Sequence, residues 1–161
     1  MEKIDAVGVV HNGRLDPADT GHWGYVISTI HIGERFPADC LQGLQEFSHV
    51  EVLFLFNHAQ ERSSCGTRQP RGSAGLPAVG VFAGRGAARP NRIGATICRV
   101  LSAQGRRLTV RGLDAVNLTP VLDVKPVMRE FLPARVHQPA WVADLLAGYY
   151  FTSSSLLASR L

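Results

Sequence analysis

Only two lysines, Lys3 and Lys125, accompany fifteen arginines in this 161-residue chain, and between Arg62 and Leu113 there is no aspartate or glutamate. Ten arginines fall in that acid-free window, which Glu61 and Asp114 bound. A block of one sign in a chain of formal charge +4 points away from a cationic partner and toward a polyanion. Cysteine is scarce too. Cys40, Cys65 and Cys98 are odd in number, widely spaced and without a CxxC pair, so the sequence suggests neither a disulfide framework nor a metal site. Long apolar runs are missing: the most apolar stretch, Val50 to Phe56, is short and interrupted by Glu51, and Met1 to Val10 has no extended apolar core. The expectation is a soluble, unexported protein of the reducing cytoplasm, with no membrane span. Familiar nucleotide and hydrolase signatures are absent as well. There is no GxxxxGK[ST], no GxGxxG opening a helix, no GxSxG and no HExxH, which removes support for P-loop, Rossmann, serine-hydrolase and zinc-hydrolase readings.

What the chain does contain is β-forming sequence. Tyr25 to Ile32 and Ser48 to Phe56 are rich in β-branched and aromatic residues, and Ile93 to Leu101 and Leu108 to Leu113 in aliphatics. The connection Ser102-Ala-Gln-Gly-Arg106 suits a hairpin. With Ile4 to Val10 and Val79 to Ala83 added, six strands are predicted, too closely spaced for repeated βαβ crossovers. The fold class is therefore mostly β: a small antiparallel β-barrel with short helices. One helix is expected over Ala38 to Phe47, and a C-terminal one over about residues 138–150, with Trp141, Leu145 and Tyr149 on one face behind Pro139. The whole chain reads as a single domain, with its core over about residues 4–127. Asn57 to Pro77 shifts to Arg, Ser, Gly and Pro without periodicity and reads as a long functional loop.

Two segments carry the candidate chemistry. The first is Gly80 to Gly94, whose Arg89-Pro90-Asn91-Arg92 core places arginines on a segment stiffened by proline. The second is Gly112 to Pro126, where Asp114 and Asp123 are the first carboxylates after the acid-free window; each reads as a site for a cationic ligand or as a residue capping its own turn. His58, at the end of a predicted strand, is placed to accept a proton or to meet a nucleobase edge, or is an exposed loop histidine.

The order and content of these pieces resemble the TsaA-like family. The matching residues are Leu44-Gln-Glu-Phe-Ser-His-Val50, Gly80-Val-Phe-Ala83 with Arg85, Arg89-Pro-Asn-Arg-Ile-Gly94, and Asp114 followed by Thr119-Pro-Val-Leu-Asp-Val-Lys-Pro126. The resemblance implies a dimeric β-barrel that uses S-adenosylmethionine to methylate N6 of threonylcarbamoyladenosine beside the tRNA anticodon. It implies cofactor contacts at Asn57, His58, Arg85, Ile97, Asp114, Ala115, Val116 and Asn117. His58 or Asp114 would assist proton removal, Arg68, Arg71, Arg89, Asn91 and Arg92 would face the RNA substrate, and no metal is called for. The chain departs from the pattern at Thr20-Gly-His-Trp-Gly24, Gly84, Asn117-Leu118 and Val127. Those departures keep two alternatives open: a sensor that binds S-adenosylmethionine without turnover, and a small-molecule methyltransferase.

Overall fold

The computed structural model describes residues 3–18, 21–59 and 66–151. Alternating apolar residues organise it. In β3 (His49–Leu55) Val50, Val52 and Phe54 point inward and are buried, while the intervening residues face outward, the period-two pattern of a strand with one face on a core. The same alternation runs through β1 (Gly8–His11), β2 (Ile27–Ile32), β6 (Ile93–Gln104) and β7 (Arg107–Arg111). These strands and β8 (Pro120–Pro126) close into an antiparallel barrel in the order β1-β2-β7-β6-β3-β8. Closure leaves the barrel no unpaired outer strand. Val10, Ile30, Val50, Val52, Phe54, Leu108, Val110 and Val121 fill it, joined by Leu113 and Ala115 from the segment after β7.

Gly94 and Phe54 fix one register of this core. They are partners across β3 and β6, and a Cβ at Gly94 would lie 2.4 Å from the Phe54 ring. The ring is thus stacked on bare backbone, which only glycine allows.

The six-strand count is met by a different sixth strand. Val79 to Ala83 does not enter the barrel: β5 (Val79–Gly80) pairs only with β4 (Thr67–Arg68), and a 3-10 turn follows over Val81–Ala83. The closing strand is β8, whose prolines read as turn signals in sequence. Pro120 and Pro126 stand at its two ends, where a missing N–H does not interrupt the ladder. The first strand likewise begins at Gly8 rather than Ile4. The expected helix over Ala38 to Phe47 is a series of turns ending in a 3-10 turn at Leu44–Glu46, interrupted by Gly43 at φ 84°. The C-terminal helix α1 spans only Ala140–Leu145, with Pro139 one position before it and Gly148 at φ 74° shortly after it. Among the described residues no helix is long and apolar enough to cross a membrane.

Two outcomes test this packing. Gly94→Ala should lower the unfolding free energy in urea by about 2 kcal/mol, the cost of overpacking a filled core. Cys98 is buried, donates to Val50 O at 3.7 Å, and its thiol is pushed up to about 12 by burial and by the nearby Asp114 charge. Mass spectrometry after iodoacetamide at mildly alkaline pH should find exposed Cys40 alkylated and Cys98 unmodified until the protein unfolds.

Candidate functional site

The site is built where two neighbouring strands differ in length. β6 runs twelve residues, but β7 pairs with it only from Arg99 to Gln104. Along Ile93 to Cys98 the flank of β6 facing β7 therefore has no strand beside it. The register settles which groups face that gap. Phe56 N donates to Arg92 O and Val100 N to Ser48 O, so the even-numbered residues of β6 bond to β3 and the odd-numbered ones point away from it. The backbone N–H and C=O of Ala95 and Ile97 thus face the gap. Arg85 takes the first position, its Nη2 donating to Ala95 O at 2.5 Å. Ile97, 48% exposed, keeps the next position free of any backbone partner among the described residues.

Asp114 flanks the same gap, because it lies three residues past the end of β7 and its side chain reaches Thr96 of β6. Its Oδ1 accepts from Thr96 Oγ1 and its Oδ2 accepts from the Tyr149 hydroxyl at 2.6 Å. Tyr149 reaches it because the C-terminal segment is docked: His22 N, Trp23 N and Gly24 N donate to the carbonyls of Gly148, Tyr149 and Tyr150 at 3.1, 3.0 and 2.8 Å. Gly24 permits that approach, since a Cβ there would fall 2.3 Å from the Phe151 ring. Burial, followed by the Asp114 charge and its hydrogen bond, holds the Tyr149 phenol well above its ordinary range. Tyr150 is pushed up to about 12 by burial and by Asp114, with Arg85 pulling the other way. Both phenols stay protonated, as a donor to a carboxylate must. Arg71 lies over the Tyr149 ring, its Cζ 5.7 Å from the centroid.

Arg85, Asp114 and the backbone of Ile97 thus share one edge, and Arg71 reaches it through Tyr149. The run after Asp114 serves the barrel. Ala115 is buried in the core and its carbonyl accepts from Asn12 Nδ2 at 2.8 Å; Val116 O accepts from Thr119 N at 3.2 Å; Asn117 Oδ1 accepts from Asn12 N at 3.1 Å. Asn57 and His58 are exposed just beyond β3, their side chains 3.5 Å apart, and no hydrogen bond joins either to Asp114. Arg89, Pro90, Asn91 and Arg92 form a turn closed by Arg92 N to Arg89 O at 3.1 Å. Their guanidinium groups each hold a loop carbonyl, Arg89 that of Gly84 at 3.0 Å and Arg92 that of Ala59 at 3.2 Å. Arg68 reaches across to the neighbourhood of Gly86. Asp123 caps no turn: it lies within β8 opposite Leu53, accepts from Val124 N at 2.9 Å and pairs with exposed Lys125 at 2.7 Å. Arg62 and Thr20 lie outside the described residues. Among those described, no group of three or more His, Cys, Asp or Glu is arranged to hold a metal. A groove of about 430 Å³ opens elsewhere, beside Leu41, Leu44 and Phe47, and no nominated site residue lines it.

Sequence reading missed Thr96, Tyr149 and Tyr150. Tyr149 is expected on the apolar face of a helix, Tyr150 carries no assignment, and only the glycine at 148 signals that the helix stops before them. Tyr149→Phe keeps the ring and removes the donor, so it should lower the unfolding free energy by about 1.5 kcal/mol, the scale of a partly exposed hydrogen bond to a charge. A phenol raised by folding contributes fully below its unfolded value of 10.0 and loses that contribution as pH climbs toward the folded value. The difference between the two proteins in urea should therefore stay constant from about pH 6 to about pH 9.

Residues 13–131 match the family model described as the tRNA-methyltransferase O N-terminal domain. A human tRNA (adenine(37)-N6)-methyltransferase is 39% identical over 105 residues, covering 64% of this chain and 23% of that protein. The Escherichia coli protein of the same name is 36% identical over 121 residues, covering 70% of this chain and 52% of that protein. A probable S-adenosyl-L-methionine-binding protein of Methanothermobacter thermautotrophicus is 39% identical over 127 residues, covering 77% of this chain and 88% of that protein. Among solved structures, TrmO from Pseudomonas aeruginosa superposes with a TM-score of 0.70 at 28% identity, over 89% of this chain and 63% of that one. The chain thus spans about a quarter of the human protein and about half of the bacterial one.

Proposed function

The chain belongs to the tRNA-methyltransferase O N-terminal domain family, and from that premise we propose that it transfers a methyl group from S-adenosylmethionine to N6 of threonylcarbamoyladenosine beside the tRNA anticodon. The observation that carries this reading is the convergence of Arg85, Asp114 and the unpaired backbone of Ile97 on one edge of β6.

The chemistry of that donor set fits the cofactor. A guanidinium suits its carboxylate, a carboxylate suits its ammonium or ribose hydroxyls, and a free strand edge offers an N–H and a C=O to a purine. When bound, S-adenosylmethionine supplies a methyl already activated on a sulfonium, so the protein needs no nucleophile of its own. The work left to the chain is alignment and exclusion of water. Asp114, already accepting from Thr96 and Tyr149, is an anchor with both oxygens engaged. Exposed His58 accepts the proton that leaves the target nitrogen. Asn57, Ala115, Val116 and Asn117 shape the walls of the cofactor site through the backbone they hold. Arg68 and Arg71 face the phosphates of the anticodon arm, while Arg89, Asn91 and Arg92 fix the loop beside it.

We further propose that the chain works in the cytoplasm as a single domain and forms a homodimer. The 3-10 turn before Arg85 presents Phe82 with 76% of its surface exposed, an aromatic contact next to the site of the kind that subunit interfaces cover. A second reading is favoured by one comparison: a relative of which the alignment covers 88% is named only as a probable S-adenosyl-L-methionine-binding protein. That reading gives cofactor binding without transfer to RNA.

Incubation with labelled S-adenosylmethionine and total tRNA from cells without such an enzyme decides between them. Methylated threonylcarbamoyladenosine in the nucleoside digest is the expected product; binding without labelled RNA would overturn the enzyme reading. Arg85→Ala and Asp114→Asn should each reduce transfer by about a hundredfold, the usual cost of losing one preorganised polar contact, with Arg85→Ala retaining the far-ultraviolet circular dichroism of the native barrel.

A further inference from the structure

The wall of the barrel formed by β2, β7 and β6 carries charge of one sign, and its register shows that this is built in. Arg99 and Arg111 are directly opposed across β6 and β7, and His49 opposes Arg99 on its other side, across β3. Like charges placed opposite one another in a sheet are destabilising. Further along the same outer face, Arg107 opposes His31, whose ring stacks on that of His11 with centroids 4.4 Å apart. Desolvation first, and then the neighbouring charges of His11 and Arg107, hold the exposed His31 imidazole below its ordinary value. None of Arg99, Arg107 and Arg111 pairs with a carboxylate among the described residues.

The adjoining wall shows that the sequence's preference for arginine does not account for this. On β3 and β8, Glu51 opposes Lys125, and Lys125 pairs with Asp123 at 2.7 Å. Charges are compensated on one wall and left uncompensated on the next. The uncompensated wall also continues directly from the site. Arg99 stands two residues along β6 from Ile97 on the same outer face, and Arg111 three residues before Asp114.

We propose that this wall, centred on Arg99, Arg111 and Arg107, is a second RNA-binding surface, which grips the phosphate backbone of the substrate beyond the nucleotide being modified. The proposal rests on the tRNA reading above and adds to it a contact face separate from the arginine loop. Two opposed arginines that cost stability in the free protein become favourable when phosphates lie over both and displace their counterions. A second copy of the chain fits less well: in a two-fold contact the same patch would meet itself and bring arginine against arginine.

Binding of total tRNA is compared across a salt series for the native protein, for Arg99→Ala/Arg111→Ala, and for a charge-matched control, Arg129→Ala/Arg135→Ala, whose residues are exposed outside the barrel. Loss of about two phosphate contacts should weaken binding by about tenfold or more and flatten the log–log salt dependence by about 1.5. The control should change the slope far less, and S-adenosylmethionine affinity by calorimetry should match the native value in both variants. Thermal unfolding should occur no earlier in the first variant, because a repulsion has been removed. Native-like tRNA affinity and slope in the first variant would overturn the proposal, as would an equal loss in the control. A shift in sedimentation with tRNA affinity unchanged would assign the wall to a subunit contact instead, and also overturn it. No tRNA binding by the native protein would overturn the substrate reading itself, a result distinguishable from the others because every variant would then behave alike.

Discussion

Everything at the candidate site follows from one mismatch in strand length. β6 needs its full twelve residues to pair with β3 at one end and β7 at the other, and no neighbour pairs with all of it. A closed barrel abolishes edges only where both neighbours are present. Where β7 departs, β6 becomes a short internal edge held rigid from behind by seven paired residues of β3. Arg85 caps one carbonyl of that edge and Asp114 locks onto the Thr96 side chain beside it. The candidate site thereby has a backbone edge backed by a fully paired strand, the arrangement that preorganisation requires.

Much of this was legible in the sequence where residue chemistry is repetitive. The alternation in Ser48 to Phe56 and the hairpin around Gly105 gave β3, β6 and β7 nearly to their ends, and the acid-free window ends at Asp114, the carboxylate that bonds Thr96 and Tyr149. What could not be read was anything decided by partners distant in the chain. β8 lacks a long β-branched run and is flanked by prolines, so only its two neighbours, β1 and β3, make it a strand. The unpaired positions of β6 depend on where β7 turns away, and periodicity carries no information on that. Tyr149 looked like part of an amphipathic helix because its spacing from Leu145 is helical; Gly148 reverses the backbone between them, so the hydroxyl serves the site.

Arginine plays opposite parts in different places. Arg89 and Arg92 turn inward and hold loop carbonyls, so their charge is half-buried and structural. Arg99, Arg107 and Arg111 stand outward on a strand pair whose register sets Arg99 directly opposite Arg111. Composition alone treats these as one basic block; the register separates a scaffold from a field.

The docking of the last described residues on Trp23 and its neighbours ties the site to the order in which the chain is made. Strands β2, β3, β6 and β7 can pair with one another while synthesis is still under way, since all of them lie upstream of Tyr149. Asp114 gains its second donor only when Tyr149 has cleared the ribosome and bonded beside a segment translated near the beginning. At translation rates of about 5–20 residues per second, a nascent barrel exists for some seconds with its edge formed and its carboxylate half-held. The polypeptide therefore emerges as a shape first, and its candidate site is finished last.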